Sequence, residues 1–164
     1  MDRISDVEKV SMNHVINGAL RRWVEWDYYA ERFGVISLPS VVLRRIMVYL
    51  TDEEAAELGR WTAKNVAREF VNFWFKEFSE RTLLRGIALL SSKYANHYDY
   101  EYAYDEEKHE HTLILRHGTG RKWTLYFEQL IKTAFNMLGI EIETDAMENQ
   151  LVLRLPAGRE VSDA

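Results

Sequence analysis

Three histidines in the second half of the chain are candidate metal ligands, because imidazole nitrogens bind metal ions well. His109 and His111 are two residues apart, and His117 follows in the same segment. Because residues two apart lie on one face of a β-strand, these imidazoles would approach one metal ion. Leu113 and Leu115 separate His111 from His117 on that face. The spacing therefore predicts either a metal site at His109, His111 and His117 or solvated histidines of a hairpin.

A glycine-rich segment between a predicted strand and a predicted helix has the composition of an anion site. It consists of Gly118, Thr119, Gly120, Arg121 and Lys122. Backbone N–H groups at a helix N-terminus, the helix dipole and two cations would favour a phosphate or a carboxylate. The segment is neither a Walker loop nor a dinucleotide fingerprint. In the alternative interpretation, the two glycines form the turn and Thr119 caps the helix.

Tyrosine occupies every second position of a predicted strand, at Tyr98, Tyr100, Tyr102 and Tyr104. All four rings would lie on one face, as an aromatic ligand wall or as a partner surface. In the alternative interpretation they pack against the following helix, which carries Trp123 and Phe127. We predict that a small apolar ligand would contact Tyr98, Tyr100, Tyr102, Trp123 and Phe127.

Catalytic signatures are missing from the sequence. The chain contains no Cys, which excludes thiolate metal sites and Cys nucleophiles. Carboxylates occur in acidic runs, and no Ser or Lys lies in a recognisable nucleophile motif. The sequence therefore predicts a protein that is not an enzyme.

The length indicates one domain, or one domain with an appendage. The chain has 164 residues, of which 47% are hydrophobic, and a formal net charge of −5. No basic stripe is visible, which disfavours nucleic acid as a partner. No apolar run approaches the roughly 20 residues that span a bilayer, and the N-terminus lacks the pattern of a signal peptide. We expect a cytoplasmic protein with no membrane association.

Hydrophobic periodicity predicts helices first and strands afterwards. A helical stripe begins after Ser11 and ends at Gly34, and further helices begin near residues 38, 51 and 80. Strands are predicted at 98–104, 112–117, 140–144 and 150–155, with a long helix at 120–139 between the two pairs. The fold class is therefore α+β, with an antiparallel β-β-α-β-β sheet and one long packed helix. Residues 1–34 form the appendage, 35–156 the α+β domain, and 157–164 a flexible tail.

Residues 9–34 resemble the second half of a ribbon-helix-helix domain. The resemblance rests on a capping Ser followed by an Asn and an apolar stripe, at Ser11, Asn13, Val15, Ile16 and Leu20. The whole chain is similar to archaeal proteins in which such a segment precedes an α+β domain. The family implies homodimerisation through these helices and DNA recognition by an N-terminal ribbon. Only about ten residues precede Ser11, too few for a ribbon strand and a complete first helix.

The element order of residues 38–155 resembles that of vinyl-reductase-like and nitric-oxide-sensing haem domains. The Tyr-x-Ser-x-Arg signature of the haem family is absent, and residues 117–121 take the comparable strand-to-helix position. We therefore predict no cofactor.

The leading hypothesis is a non-enzymatic regulatory or sensor domain, homodimeric, that binds a small apolar ligand or a protein partner. One alternative is a DNA-binding transcriptional regulator of ribbon-helix-helix type, with Arg21 and Arg22 as phosphate contacts. The other is a metal-dependent enzyme that uses the three histidines.

Overall fold

The computed structural model describes residues 9–107 and 109–156, which fall in two compact units that divide between Ile36 and Ser37. The tail predicted at 157–164 lies outside the described residues. Within the described ranges, no helix combines the length and the apolar character needed to cross a bilayer.

The first unit consists mainly of one helix, α1. Its α-helical segments Met12–Arg22 and Tyr28–Phe33 flank a π-helical segment, Trp23–Asp27. The Ser11 hydroxyl accepts a hydrogen bond from the His14 N–H at 3.2 Å, and Gly34 ends the helix in the left-handed region. Both ends agree with the sequence prediction. Homodimerisation through this helix stays a prediction.

The second unit begins with three helices and contains a fourth between its strands. Helix α2 is Ser40–Val48, and α5 is Arg121–Asn136. Helix α3 has three consecutive segments: Asp52–Thr62, the π-helical Ala63–Ala67, and Arg68–Phe75. Helix α4 has two: Glu80–Arg85 and the π-helical Gly86–Tyr94. A capping box of Thr51 and Glu54 begins α3, as the sequence predicts. The side chain of Ser79 caps the N-terminus of α4.

The four strands form one antiparallel sheet. They are β1 (Asp99–Asp105), β2 (Glu110–Arg116), β3 (Glu143–Ala146) and β4 (Gln150–Pro156), in the order β1-β2-β4-β3. The α+β fold class and the β-β-α-β-β order are confirmed. Two chain-adjacent hairpins are joined through β2 and β4, and β1 and β3 form the two edges.

The third strand begins later than the predicted range 140–144. The Ile140 N–H donates to the Phe135 carbonyl at 3.1 Å, and the Gly139 N–H donates to the Asn136 carbonyl at 2.9 Å. These two bonds form a Schellman motif around Gly139, whose φ is +73°. The backbone groups of Ile140 therefore complete the end of α5 instead of a strand.

The core of the second unit lies between α5 and the inner face of the sheet. Alternate residues of β2 and β4 are buried there: Leu113, Leu115, Leu151, Leu153 and Leu155. Helix α5 buries Phe127, Ile131 and Phe135 in the same cluster. Helix α3 packs closely on α5, because a Cβ at Gly59 would overlap the carbonyl oxygen of Tyr126.

Candidate ligand-binding site

Five aromatic side chains form what we call the buried aromatic cluster: His97, Tyr98, Trp123, Tyr126 and Phe127. The Phe127 ring centroid lies 5.0 Å from that of Tyr98 and 4.9 Å from that of Trp123, both edge-to-face. Trp123 stacks on Tyr126 at 5.0 Å, and the His97 ring is 5.8 Å from Trp123. Edge-to-face and offset stacking are the favoured aromatic geometries. The cluster therefore joins the start of the sheet to the first turns of α5.

The end of α4 turns His97 and Tyr98 toward the core. The π-helical stretch finishes with a bond from the His97 N–H to the Ser91 carbonyl at 2.9 Å, and Asn96 has a φ of +54°. The Tyr98 hydroxyl then donates to the Ile87 carbonyl at 3.3 Å. Burial raises the pKa of Tyr98 far above its usual value, so this hydroxyl remains protonated.

Two buried polar atoms of the cluster lack a hydrogen-bond partner among the described residues. They are His97 Nδ1 and Trp123 Nε1. Trp123 is only 7% exposed, and its indole N–H is a donor without acceptor capacity. An unpaired buried group of this kind costs about 1–3 kcal/mol, and native proteins contain few of them. Burial also lowers the pKa of His97, so the imidazole is neutral near pH 7.

The other end of the tyrosine row lies at the surface. We call Tyr102, Tyr104, His109 and His111 the Tyr–His surface. The Tyr102 hydroxyl lies 2.6 Å from His111 Nδ1, and the Tyr104 hydroxyl lies 3.2 Å from His109 Nδ1. Tyr102 is 48% exposed and Tyr104 is 44% exposed.

The predicted apolar-ligand residues therefore lie in three different environments. Tyr98, Trp123 and Phe127 meet in the buried aromatic cluster, Tyr100 is half-buried on β1, and Tyr102 belongs to the exposed surface. Sequence reasoning left out His97 and Tyr126. Their positions in the sequence could have indicated both residues, because His97 directly precedes the tyrosine row and Tyr126 follows Trp123 by about one helical turn.

Both ring nitrogens of His117 form hydrogen bonds within the protein. Its Nδ1 accepts the Thr119 N–H at 3.2 Å, so its Nε2–H donates to the Thr124 hydroxyl at 3.0 Å. Thr124 in turn donates to the Glu148 carbonyl at 3.2 Å. Burial lowers the pKa of His117, although the Glu148 carboxylate acts in the opposite direction. Both ring nitrogens are thus engaged in holding the turn between β2 and α5.

The metal prediction gains no support from this geometry. Within residues 9–107 and 109–156, no group of three or more potential ligands is arranged to hold a metal ion. Nδ1 of His109 and of His111 is engaged by a tyrosine hydroxyl, while His117 lies at the other end of β2.

Four of the five residues of the predicted anion segment, all except Gly118, line a surface cleft of about 300 Å³. The cleft is formed by Arg44, Met47, Val48, Asp52, Thr119, Gly120, Arg121, Lys122 and Glu148. Gly120 is the N-cap of α5, where the alternative interpretation placed Thr119, and its N–H donates to Asn149 Oδ1 at 2.9 Å. The φ of +96° at Gly120 explains why a glycine stands there.

Both predicted cations of the cleft already have partners in the protein. Arg121 pairs with Asp52 at 3.1 Å, and the Lys122 ammonium donates to the Val48 carbonyl at 3.1 Å. Asp52 and Glu148 also contribute negative charge to the lining. The structure brings the segment together with Arg44, but anion binding there stays a prediction.

Comparisons with known proteins bear on the fold. No family model matches the chain, and no curated protein matches it. The chain is similar to the solved structure of a Cs H-NOX mutant with the unnatural amino acid 4-cyano-L-phenylalanine at site 5. That likeness has 15% identity and a TM-score of 0.51, and it covers 85% of this chain and 89% of the other. At this identity it concerns the fold alone.

A weaker likeness connects the chain to a trafficking protein particle complex subunit 3 from Naegleria fowleri, covalently bound to palmitic acid. It has 9% identity and a TM-score of 0.38, covering 85% of this chain and 95% of that one. The ribbon-helix-helix resemblance of residues 9–34 stays a prediction.

Proposed function

We propose that this chain is a non-enzymatic sensor-type domain whose buried aromatic cluster binds a small, uncharged ligand. The observation that carries the proposal is the pair of unpaired polar atoms, His97 Nδ1 and Trp123 Nε1, in one apolar cluster. A ligand with one hydrogen-bond acceptor would satisfy the indole N–H. The free energy now lost at that buried donor would then contribute to binding.

The surroundings of these atoms define the chemistry of the ligand. The Tyr98 hydroxyl is engaged by the Ile87 carbonyl, and His97 is neutral near pH 7 because burial lowers its pKa. A charged ligand would lose its hydration here without meeting a counter-ion in the cluster. The rings of Trp123 and Phe127 favour an apolar, preferably flat, molecule. An uncharged aromatic compound with one oxygen or nitrogen acceptor fits these conditions.

The π-helical end of α4 supports a sensing role. Gly86–Tyr94 forms nine residues of π-helix, a geometry that is rare and occurs often at functional sites. It leads directly into the cluster and is tied to it by the Tyr98–Ile87 hydrogen bond. A ligand that moves His97 or Tyr98 would therefore act on the whole of this segment.

Native mass spectrometry of the purified protein, followed by solvent extraction, tests for a co-purifying molecule. Quinoline, a neutral aromatic acceptor, serves as the probe in an NMR titration of the Trp123 indole N–H. We expect saturable shifts at Trp123 and His97. The His97→Phe variant should fold with equal or greater stability, because it removes an unpaired buried group. The Trp123→Phe variant, which removes the indole donor, should bind quinoline more weakly.

Tyr102→Phe, at the exposed end of the row, is the matched control and should leave quinoline binding unchanged. Two outcomes would refute the proposal. One is a protein with no co-purifying molecule whose Trp123 N–H does not respond to quinoline. The other is a single ordered water that bridges the two unpaired atoms and survives the titration.

No observation favours the remaining hypotheses over this one. DNA binding through Arg21 and Arg22, metal-dependent catalysis, homodimerisation and a cytoplasmic location stay predictions of the sequence.

A further inference from the structure

The outer edge of β1 is the longer of the two sheet edges. Strand β1 pairs with β2 along all seven residues and has no strand on its other side among the described residues. Most of its side chains are exposed. An edge of this kind presents unpaired N–H and C=O groups that can accept a further strand.

Acidic side chains surround this edge. Residues 99–110 contain six acidic residues and one lysine, a balance equal to the formal net charge of the whole chain. Asp99 and Glu101 lie on the outer face of β1, and Glu106 and Glu107 lie in the turn that follows. Arg116 pairs with Glu101 at 2.6 Å, and Arg154 lies 3.9 Å from Glu110, so at least two of the six carboxylates have a basic partner. The edge therefore attracts positive charge.

The inner face of the same strand carries exposed aromatic rings. Tyr102 and Tyr104 contact His111 with centroid distances of 5.8 and 4.9 Å. Their hydroxyls are held by histidine nitrogens, so the rings are already ordered for contact. Exposed tyrosines are enriched in protein interfaces, and their faces attract guanidinium and ammonium groups. One strand thus offers carboxylates on one side and aromatic rings on the other.

The carboxylates on one face of β1 and the aromatic rings on the other determine which kind of strand can pair with its outer edge. A second copy of β1 paired antiparallel would place Asp99 opposite Asp105 and so bring like charges together, which destabilises pairing. A strand that alternates basic and apolar residues would place its cations beside Asp99 and Glu101 and its apolar groups beside Tyr102 and Tyr104. We propose that the β1 edge and the Tyr–His surface dock an extended basic peptide segment of a partner protein, which adds as a strand to β1.

This proposal is independent of the buried ligand site, and the opposite edge of the sheet provides an internal control. Strand β3 is four residues long and carries Glu143 and Asp145, but no tyrosine. It therefore has the acidic character of β1 without the aromatic surface. Charge attraction alone would bring a basic peptide to both edges, whereas the proposed docking requires β1.

The test uses a synthetic peptide of four Arg-Val repeats and an NMR titration of the intact chain at about 0.15 M salt, near physiological ionic strength. We expect saturable shifts at β1 and slowed hydrogen exchange at those β1 amides that do not bond to β2, with no change in exchange at β3. Combined Tyr102→Ala and Tyr104→Ala substitutions, or Asp99→Lys, should weaken binding at least tenfold. Asp145→Lys on β3 should leave the affinity unchanged.

Two control peptides make the result decisive. Glu-Val repeats should not bind, and a central Val→Pro change should weaken binding because proline cannot donate to the ladder. Equal affinity for the Arg-Val and Glu-Val peptides would overturn the proposal. So would an affinity that does not change when Tyr102 and Tyr104 are replaced by alanine. Protection, before peptide is added, of the β1 amides that do not bond to β2 would also overturn it. Such protection would indicate self-pairing if it depends on protein concentration, and occupation by the chain itself if it does not.

Discussion

The two ends of the tyrosine row place the same residue types in opposite environments. At the buried end, the Tyr98 hydroxyl donates to the Ile87 carbonyl, and His97 Nδ1 is unpaired. At the exposed end, the Tyr102 hydroxyl bonds His111 Nδ1 in contact with water. A missing hydrogen bond is costly in the core and is replaced by water at the surface. The comparison shows that burial by other elements, and not residue type, determines how much each tyrosine contributes to stability.

The largest difference between the two ends is expected for truncation of an aromatic ring. Phe127→Ala removes a buried ring in contact with Tyr98 and Trp123, and should lower the free energy of unfolding by about 3–5 kcal/mol. Tyr104→Ala at the exposed end should change it by about 0.5 kcal/mol or less. Urea denaturation at equilibrium measures both. Similar losses at the two positions would contradict the assignment of core and surface.

A second difference concerns the close contact of α3 and α5. In Gly59→Ala, the new methyl group would overlap the Tyr126 carbonyl oxygen, so the helices must separate, at a cost of about 1–3 kcal/mol. The change should shift the NMR signals of the buried aromatic cluster and leave those of His111 in place. Gly18→Ala is the matched control, because no atom lies near its Cβ and alanine favours the helix. Equal stability of Gly59→Ala and the wild type would show that the helices do not pack as described.

The same substitution at both ends isolates the hydroxyl groups. Tyr98→Phe leaves the Ile87 carbonyl without its buried donor and should cost about 1–2 kcal/mol. Tyr102→Phe should cost about 0.5 kcal/mol or less, because water replaces the lost bond. Thermal and urea unfolding of the two variants test this difference. If Tyr102→Phe is the more destabilising variant, the comparison fails.

The smallest expected effect is a dependence of stability on pH. Burial lowers the pKa of His97 and of His117 in the folded protein, whereas an unfolded imidazole titrates near about 6.5. Between the folded-state pKa and the unfolded-state pKa of each histidine, the unfolded chain binds more protons than the folded protein. The stabilisation by these two histidines is therefore complete above about pH 6.5 and is lost as pH falls below that value. Urea unfolding between about pH 5 and 8 measures the slope. The double variant His97→Phe, His117→Asn should flatten it, and a protein that becomes more stable on acidification would contradict the assignment.

Much of the fold was predictable because it depends on local patterns. Tyrosine at every second position of residues 98–104 has the two-residue period of a strand, although β1 itself begins at Asp99. Ser11, Thr51 and Gly34 fix helix ends through their own hydrogen bonds or backbone angles. These signals act within a few residues, and they gave the element order and the fold class.

The candidate site was only partly predictable because it depends on contacts between residues distant in sequence. The pairing of β2 with β4, which makes β1 an edge, joins segments about forty residues apart, and no local signal specifies it. The π-helical turns of α4 that direct His97 inward have no distinctive composition. For this reason His97 and Tyr126 were missed, while Tyr102 was grouped with residues that lie in the core.

The sequence alone determined which side chains share a face and where most elements begin and end, because backbone periodicity and capping bonds are local. The tertiary structure decided which part of each face is covered: Phe127 buries Tyr98, whereas Tyr102 and Tyr104 remain exposed beside the β1 edge. Burial arises from packing between distant segments, and burial sets the cost of an unpaired donor and the pKa of an imidazole.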